Sequence, residues 1–150
     1  ASKYIPERAV LAGLFEHGLE SYVEISDFLT HSSFANRNNQ VIYKCIEKVL
    51  ENDAVADIPA ILSAAEQLNL TEVVKTEREL DYIRDLMDYP VKRDNVLHFA
   101  AQVKKFEFAR NAKRIAKKID KDIDSIVGDE SIDDIINLVE TPLMDFLRDD

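Results

Sequence analysis

The residue types able to do chemistry in this 150-residue chain are few and scattered. Asp120, Asp122 and Asp124 alternate like the opening ligands of a calcium loop, whose carboxylate oxygens sit at every second position. That loop needs Gly at its sixth place and a bidentate Glu at its twelfth. Counted from Asp120, those places hold Ser125 and Ser131, so the run reads as an acidic helix end. His17, His31 and His98 have no mutual spacing suited to a metal, and Cys45 has no Cys or His neighbour. They read as a helix-end histidine, a loop histidine, a core-edge histidine and a buried apolar cysteine. The three glycines, Gly13, Gly18 and Gly128, are too dispersed for a Gly-x-x-x-x-Gly-Lys-Ser/Thr phosphate cradle or a dinucleotide fingerprint. No catalytic, cofactor-binding or metal-ligating residue is therefore assigned, and nucleotide hydrolysis by this chain is not expected. One basic cluster remains. Lys113, Arg114, Lys117 and Lys118 recur at helical spacing, either as a solvated face answering an acidic neighbour or as a weak contact for nucleic acid or an acidic partner.

The elements that carry these residues are helical. Pro6 to His17 opens with Pro near the first helical position and Glu7 in the first turn, where its charge suits the helix dipole. Val10, Leu11, Leu14 and Phe15 line one stripe, and Gly18 is a natural stop. A short helix over 19–25 follows, with Ser26-Asp27 as a break. Asn38 to Asn52 carries Val41, Ile42, Cys45, Ile46, Val49 and Leu50 at three- and four-residue steps, with Asn38 or Asn39 as the expected cap. Asp57 would cap a helix to Leu68 whose inward residues are Ile58, Ile61, Leu62, Ala65 and Leu68. Glu77 to Met87 repeats the rhythm through Leu80, Ile83, Leu86 and Met87, and Tyr89-Pro90 breaks it.

Composition agrees. Apolar residues make up 46% and charged residues 32%, a globular balance large enough for one core. Three Gly and four Pro leave little turn chemistry for a many-stranded sheet. A single cysteine cannot form an internal disulfide, which fits a reducing cytoplasm. No apolar run approaches the roughly 18 residues of a spanning helix and no leader is evident, so no membrane partner is expected. The chain opens on Ala1, and an excised piece of a longer protein is expected.

The formal charge of −10 argues against a dedicated DNA binder. It is unevenly spread. From Lys104 to Lys121, eight Lys/Arg face Glu107 and Asp120, a net of +6; from Asp122 to Asp150, ten Asp/Glu face Arg148, a net of −9. Phe99, Val103, Phe106, Ala109, Ala112, Ala116, Ile119, Ile123 and Ile126 step by three and four across the first segment. After a turn at 128–131, Ser131 would cap a helix bearing Ile132, Ile135, Ile136, Val139, Leu143, Phe146 and Leu147. The expected fold is all-α: a helical globule over 1–97, then a long antiparallel helical hairpin over 98–150. The opposite charges of its arms would flank an apolar seam and help fix the pairing. Its apolar residues span more than one stripe. Phe99, Val103, Phe106, Ile115 and Ile119 on one arm, with Leu143, Phe146 and Leu147 on the other, are thus candidates for a protein interface.

The order of these signals resembles a family. Pro6-Glu7-Arg8-Ala9-Val10-Leu11-Ala12-Gly13-Leu14-Phe15 resembles the start of DnaB-type replicative DNA helicases, where an acidic residue precedes Ala-Val-Leu-Gly and a Leu pair. Asp27-Phe28, Ser33-Phe34 and Asn39-Gln40-Val41-Ile42-Tyr43 are similar to the family's segment ending His-x-x-Ile-Phe. Asn52-Asp53 with Ala56-Asp57-Ile58 resembles its Gly-x-Pro-Ile-Asp stretch, and Glu79-Leu80-Asp81-Tyr82-Ile83 its Tyr-Leu segment. Pro90, Asn95-Val96, Phe99-Ala100 and Val103 resemble Pro-x-x-x-Asn-x-x-x-Tyr-Ala-x-x-Val, and Arg110 stands where the family places an Arg in the hairpin's first arm. Asn39 replaces His and Asp53 replaces Gly, departures expected of a bacteriophage or otherwise divergent homologue.

The resemblance spans essentially the whole chain. It implies a non-catalytic N-terminal domain that assembles with copies of itself, as a dimer or higher oligomer and a hexamer in the full-length protein. That domain would form a collar of three dimers above the ATPase ring and receive primase or a helicase loader. DNA would be engaged by the full-length ring, and ATP and Mg only by a RecA-like domain following Asp150. The alternatives are a stand-alone loader or regulator mimicking this domain, and an unrelated helical adaptor.

Overall fold

A computed structural model describes residues 4–148, with the backbone only of Val73. The elements are α1 (Tyr4–His17), α2 (Leu19–Ile25), a 3-10 turn (His31–Ser33), α3 (Arg37–Glu51), α4 (Ile58–Gln67), α5 (Thr71–Val74), α6 (Glu77–Asp88), α7 (Arg93–Asp124) and α8 (Ile132–Arg148). Among the described residues there is no strand, and the fold is all-α as expected. Two compact units divide at 107/108, within α7.

In the first unit, α1 packs on α2, α3 and α6, and α3 packs on α2, α4 and α5. These two helices form the centre. Ala9, Val10, Leu11, Ala12 and Leu14 are buried around nearly the whole circumference of α1, the pattern of a helix covered on all sides. Gly13 completes it, because a Cβ there would collide with Val96 of α7. The apolar stripe of α3 faces inward as its spacing requires, with Val41, Ile42, Cys45, Ile46, Val49 and Leu50 all buried. Tyr43 joins them, its ring 4.9 Å from Phe34 and 6.4 Å from Tyr22, while its hydroxyl donates to the Leu29 carbonyl at 3.1 Å. Burial pushes the Cys45 thiol up to about 11.

Several boundaries differ from the sequence expectation. The cap of α3 is Asn36, whose Oδ1 accepts the Asn39 N–H at 3.0 Å, rather than Asn38 or Asn39. Those two side chains are used elsewhere. Asp57 caps α4 as expected, accepting from the Ala60 N–H at 2.9 Å. Thr76 caps α6 through the Glu79 N–H at 3.2 Å. The 3-10 turn and α5 are too short to show a periodicity.

The start of α7 is fastened to the globule. The Val91 carbonyl accepts from His17 Nε2 at 2.6 Å and the Val91 N–H donates to Glu16 at 3.2 Å. Arg93 then reaches Glu20 at 2.8 Å and Glu24 at 2.9 Å. Helix α7 thus begins at Arg93 rather than near Phe99, and Val96, Ala100 and Val103 lie in the core of the first unit. His98 is exposed on this helix rather than at a core edge, with its ring edge-on to Phe99 at 5.3 Å.

Candidate interaction surfaces

The second unit is a helical hairpin built from the latter half of α7, a turn, and α8. Helix α7 ends where the N–H groups of Ser125 and Ile126 fall back on the carbonyls three residues earlier, each at 3.2 Å. Gly128 then takes φ 103°, a conformation that L side chains rarely adopt. Glu130 holds the turn, accepting from the N–H groups of Val127 at 3.1 Å and Gly128 at 2.9 Å. Hydrogen bonds from backbone N–H groups, its own among them, keep its carboxyl below the usual carboxylate range. Ser131 caps α8, as its position predicts, through the Asp134 N–H at 3.1 Å. At the far end the rings of Phe108 and Phe146 meet at 4.9 Å, which fixes the arms antiparallel.

Helix α8 carries two apolar stripes. Ile135, Leu138, Pro142 and Phe146 are half-buried, as are Ile115, Ile119, Ile123 and Ile126 of α7; together they make the seam. About a quarter turn away at 100° per residue lie Ile132, Ile136, Val139, Leu143 and Leu147, between 39% and 71% exposed. Their steps of four, three, four and four are those of a helix-packing seam. No described residue of α8 is buried. The hairpin therefore satisfies one stripe internally and presents the second to solvent.

The expected interface residues separate into groups. Val103, expected on the interface, is instead 1% exposed in the core of the first unit, because α7 begins inside that core. Phe99 packs against the same core. Phe106 is exposed in the first unit, beside a recess shared with Ile5, Pro6, Gln102 and Lys105. Ile115, Ile119 and Phe146 line the hairpin seam, while Leu143 and Leu147 belong to the outward stripe. Ile132, Ile136 and Val139, which the sequence places on this helix but not among the interface candidates, complete that stripe.

The charges do not knit the seam as expected. At 100° per residue, Lys113, Arg114 and Lys117 fall on the side of α7 roughly opposite Ile115 and Ile119, and all three are exposed. Lys118 lies nearer the seam, yet its Nζ reaches Asp122 at 2.9 Å along its own helix. The basic arm is thus positioned for solvent rather than for the acidic arm.

A buried polar cluster in the first unit had no clear sequence signal. Glu7, read as a helix-dipole residue, is 2% exposed. Its carboxylate accepts from the Ala35 N–H at 2.7 Å, the Asn36 N–H at 3.3 Å and Asn39 Nδ2 at 3.0 Å. Asn39 Oδ1 in turn accepts from the Tyr82 hydroxyl at 2.6 Å, and Asn38 Nδ2 donates to Glu79 at 2.9 Å. Burial raises the Tyr82 phenol above its ordinary value, partly countered by the nearby Arg8. A carboxylate can accept several N–H donors at once, so one acidic residue ties α1 to the entrance of α3 and, through Asn39, to α6. Among the described residues no group of three or more His, Cys, Asp or Glu is arranged to hold a metal ion. No described helix is long and apolar enough to cross a membrane.

The described residues thus comprise a helical unit with a buried core and a helical hairpin with an outward apolar stripe. The family model for the DnaB-like helicase N terminal domain matches residues 3–105, and the chain belongs to that family. The fold is similar to the crystal structure of the N-terminal domain of DnaB helicase from Mycobacterium tuberculosis. That match has a TM-score of 0.71 at 15% identity and covers 93% of this chain and 94% of that one. Comparison with curated proteins finds no match.

Proposed function

We propose that this chain is the non-catalytic assembly and recruitment domain of a hexameric replicative DNA helicase. In this reading it self-associates through the hairpin to build the N-terminal collar and docks primase or a helicase loader. ATP and Mg are bound by a separate ATPase domain, DNA by the full-length ring, and the site of action is the cytoplasm. The observation that carries it is the outward stripe Ile132, Ile136, Val139, Leu143 and Leu147 on a helix with no buried residue of its own. Full burial of such a side chain is worth roughly 1.5–3 kcal/mol. About half of each is still to be covered, so a symmetric pair of stripes gains on the order of 10 kcal/mol. Against the roughly 4–15 kcal/mol lost on association, the net is at best about −6 kcal/mol, so these stripes alone support a weak dimer with a Kd no tighter than tens of micromolar, on the order of 40 µM.

The reading is tested first at the gene. A reading frame that continues beyond Asp150 into a Gly-x-x-x-x-Gly-Lys-Ser/Thr loop agrees with it, and a stop codon directly after Asp150 favours a stand-alone regulator instead. With the full-length protein, deleting this domain removes co-sedimentation with primase or loader while leaving nucleotide turnover. Retained co-sedimentation refutes the recruitment role.

A further inference from the structure

The outer face of α7 in the hairpin presents four cations in one row: Lys113, Arg114, Lys117 and Lys121. At 100° and 1.5 Å per residue they fall within about a third of the helix circumference and span about 12 Å. All four are exposed, and among the described residues none of them is in an ion pair, whereas the neighbouring Lys118 is held by Asp122 at 2.9 Å. The row faces away from the seam made by Ile115, Ile119, Ile123 and Ile126, so pairing of the two arms leaves it uncovered. Asp120, between Lys117 and Lys121 in the chain, borders one side of the row, and Asp124 closes its C-terminal end.

What this face lacks identifies its occupant. Protein interfaces depend on aromatic or aliphatic anchors in a desolvated centre, and the row carries none between its charges. A partner held only by exposed point charges is one that itself offers a row of charge, with no side chains to bury. A phosphodiester backbone fits that description, and Lys is suited to it as a point charge. The rest of the molecule selects among nucleic acids. A duplex presents two strands of phosphate over a broad surface, and a chain of charge −10 offers it only this one narrow row. One row of cations matches one row of phosphates. We propose that the outer face of α7, through Lys113, Arg114, Lys117 and Lys121, is a track for single-stranded nucleic acid, weak and indifferent to sequence.

Four phosphates neutralised on a single strand give a log–log salt slope of about −2.8, or roughly 50-fold weaker binding when salt rises fourfold. The test is fluorescence anisotropy of a labelled oligothymidylate with the purified chain at low salt. Duplex DNA and polyglutamate serve as competitors, and the charge reversal K113E/K117E is run beside the neutral K113Q/K117Q. The track is supported by saturable binding with that slope, at least tenfold weaker in both variants at unchanged helical circular dichroism, and displaced by single strands in preference to both competitors. It is overturned by unchanged anisotropy at high micromolar protein, or by binding that both variants retain. Displacement by polyglutamate as effective as by single strands assigns the face to an acidic protein, and equal displacement by duplex removes the preference for single strands; either overturns it as stated.

Discussion

Replacing Glu7 with Ala removes the acceptor on which the entrance to α3 depends. The carboxylate is 2% exposed and accepts from Ala35 N–H at 2.7 Å, Asn39 Nδ2 at 3.0 Å and Asn36 N–H at 3.3 Å. Water reaches that site poorly, so each donor left behind bears its own desolvation cost. A hydrogen bond to a charged group is worth roughly 1.5–3 kcal/mol, and a buried donor without a partner costs about 1–3 kcal/mol. The 3.3 Å contact is counted as weak, which leaves two strong ones and an expected loss of about 3–5 kcal/mol. For a domain whose whole stability is on the order of 5–15 kcal/mol, that is a large fraction. Urea unfolding followed by circular dichroism measures it, with the midpoint falling and the slope unchanged. Tyr82→Phe, which removes the hydroxyl that donates to Asn39 Oδ1 at 2.6 Å, is expected to cost about 1 kcal/mol. Because Asn39 links the two sites, the double variant is expected to lose less than the sum. A loss below about 1 kcal/mol for Glu7→Ala refutes the view that this carboxylate organises the fold.

Gly13→Ala in a helix interior would ordinarily gain up to about 1 kcal/mol. Here it is expected to cost about 1–3 kcal/mol through overlap with Val96, and Gly13→Ala/Val96→Ala should recover part of the loss in thermal melts. Cys45, buried and with its thiol pushed from 9.0 to about 11, is expected to resist thiol reagents until the chain unfolds. Because its folded value is the higher one, its contribution is complete below about pH 9 and is lost as pH rises toward about 11. Tyr22 and Tyr43, also raised by burial, act in the same direction. Urea midpoints are therefore expected to fall above about pH 9, and a flat profile to pH 11 contradicts the burial argument.

How far the sequence could be read depended on how local each signal was. The stripe of α3, the Asp57 cap and the Ser131 cap are encoded within a few residues, and all three are where the spacing puts them. Asn38 and Asn39 were plausible caps by type, but the choice of Asn36 depends on Glu7 and Glu79, 32 and 41 residues away from the asparagines that they engage. The placement of Val103 turned on α7 starting inside the globule, fixed by Val91 and Arg93 contacts to α1 and α2. No periodicity reveals that. The charge asymmetry of the hairpin was visible, but net segment charge ignores angle. Resolved around the helix, Lys113 and Lys117 point away from the seam that they were expected to flank. The same angular reading splits the apolar residues of α8 into an inner and an outer stripe, a distinction that the sequence already contained.

The central claim is that the outer stripe of α8 joins copies of this chain. Sedimentation velocity of the wild type and of Leu143→Asp, at high micromolar concentration and with helicity checked by circular dichroism, tests it most directly. Leu143 lies on the outward stripe and is 42% exposed, so the change spares the Phe108–Phe146 seam, and an unpaired charge at a dry contact is strongly unfavourable. The wild type is expected to sediment as a dimer or larger species and Leu143→Asp as a smaller one with the same helical signal. A wild type that is monomeric at that concentration, or a Leu143→Asp variant that associates as well as the parent, contradicts the account.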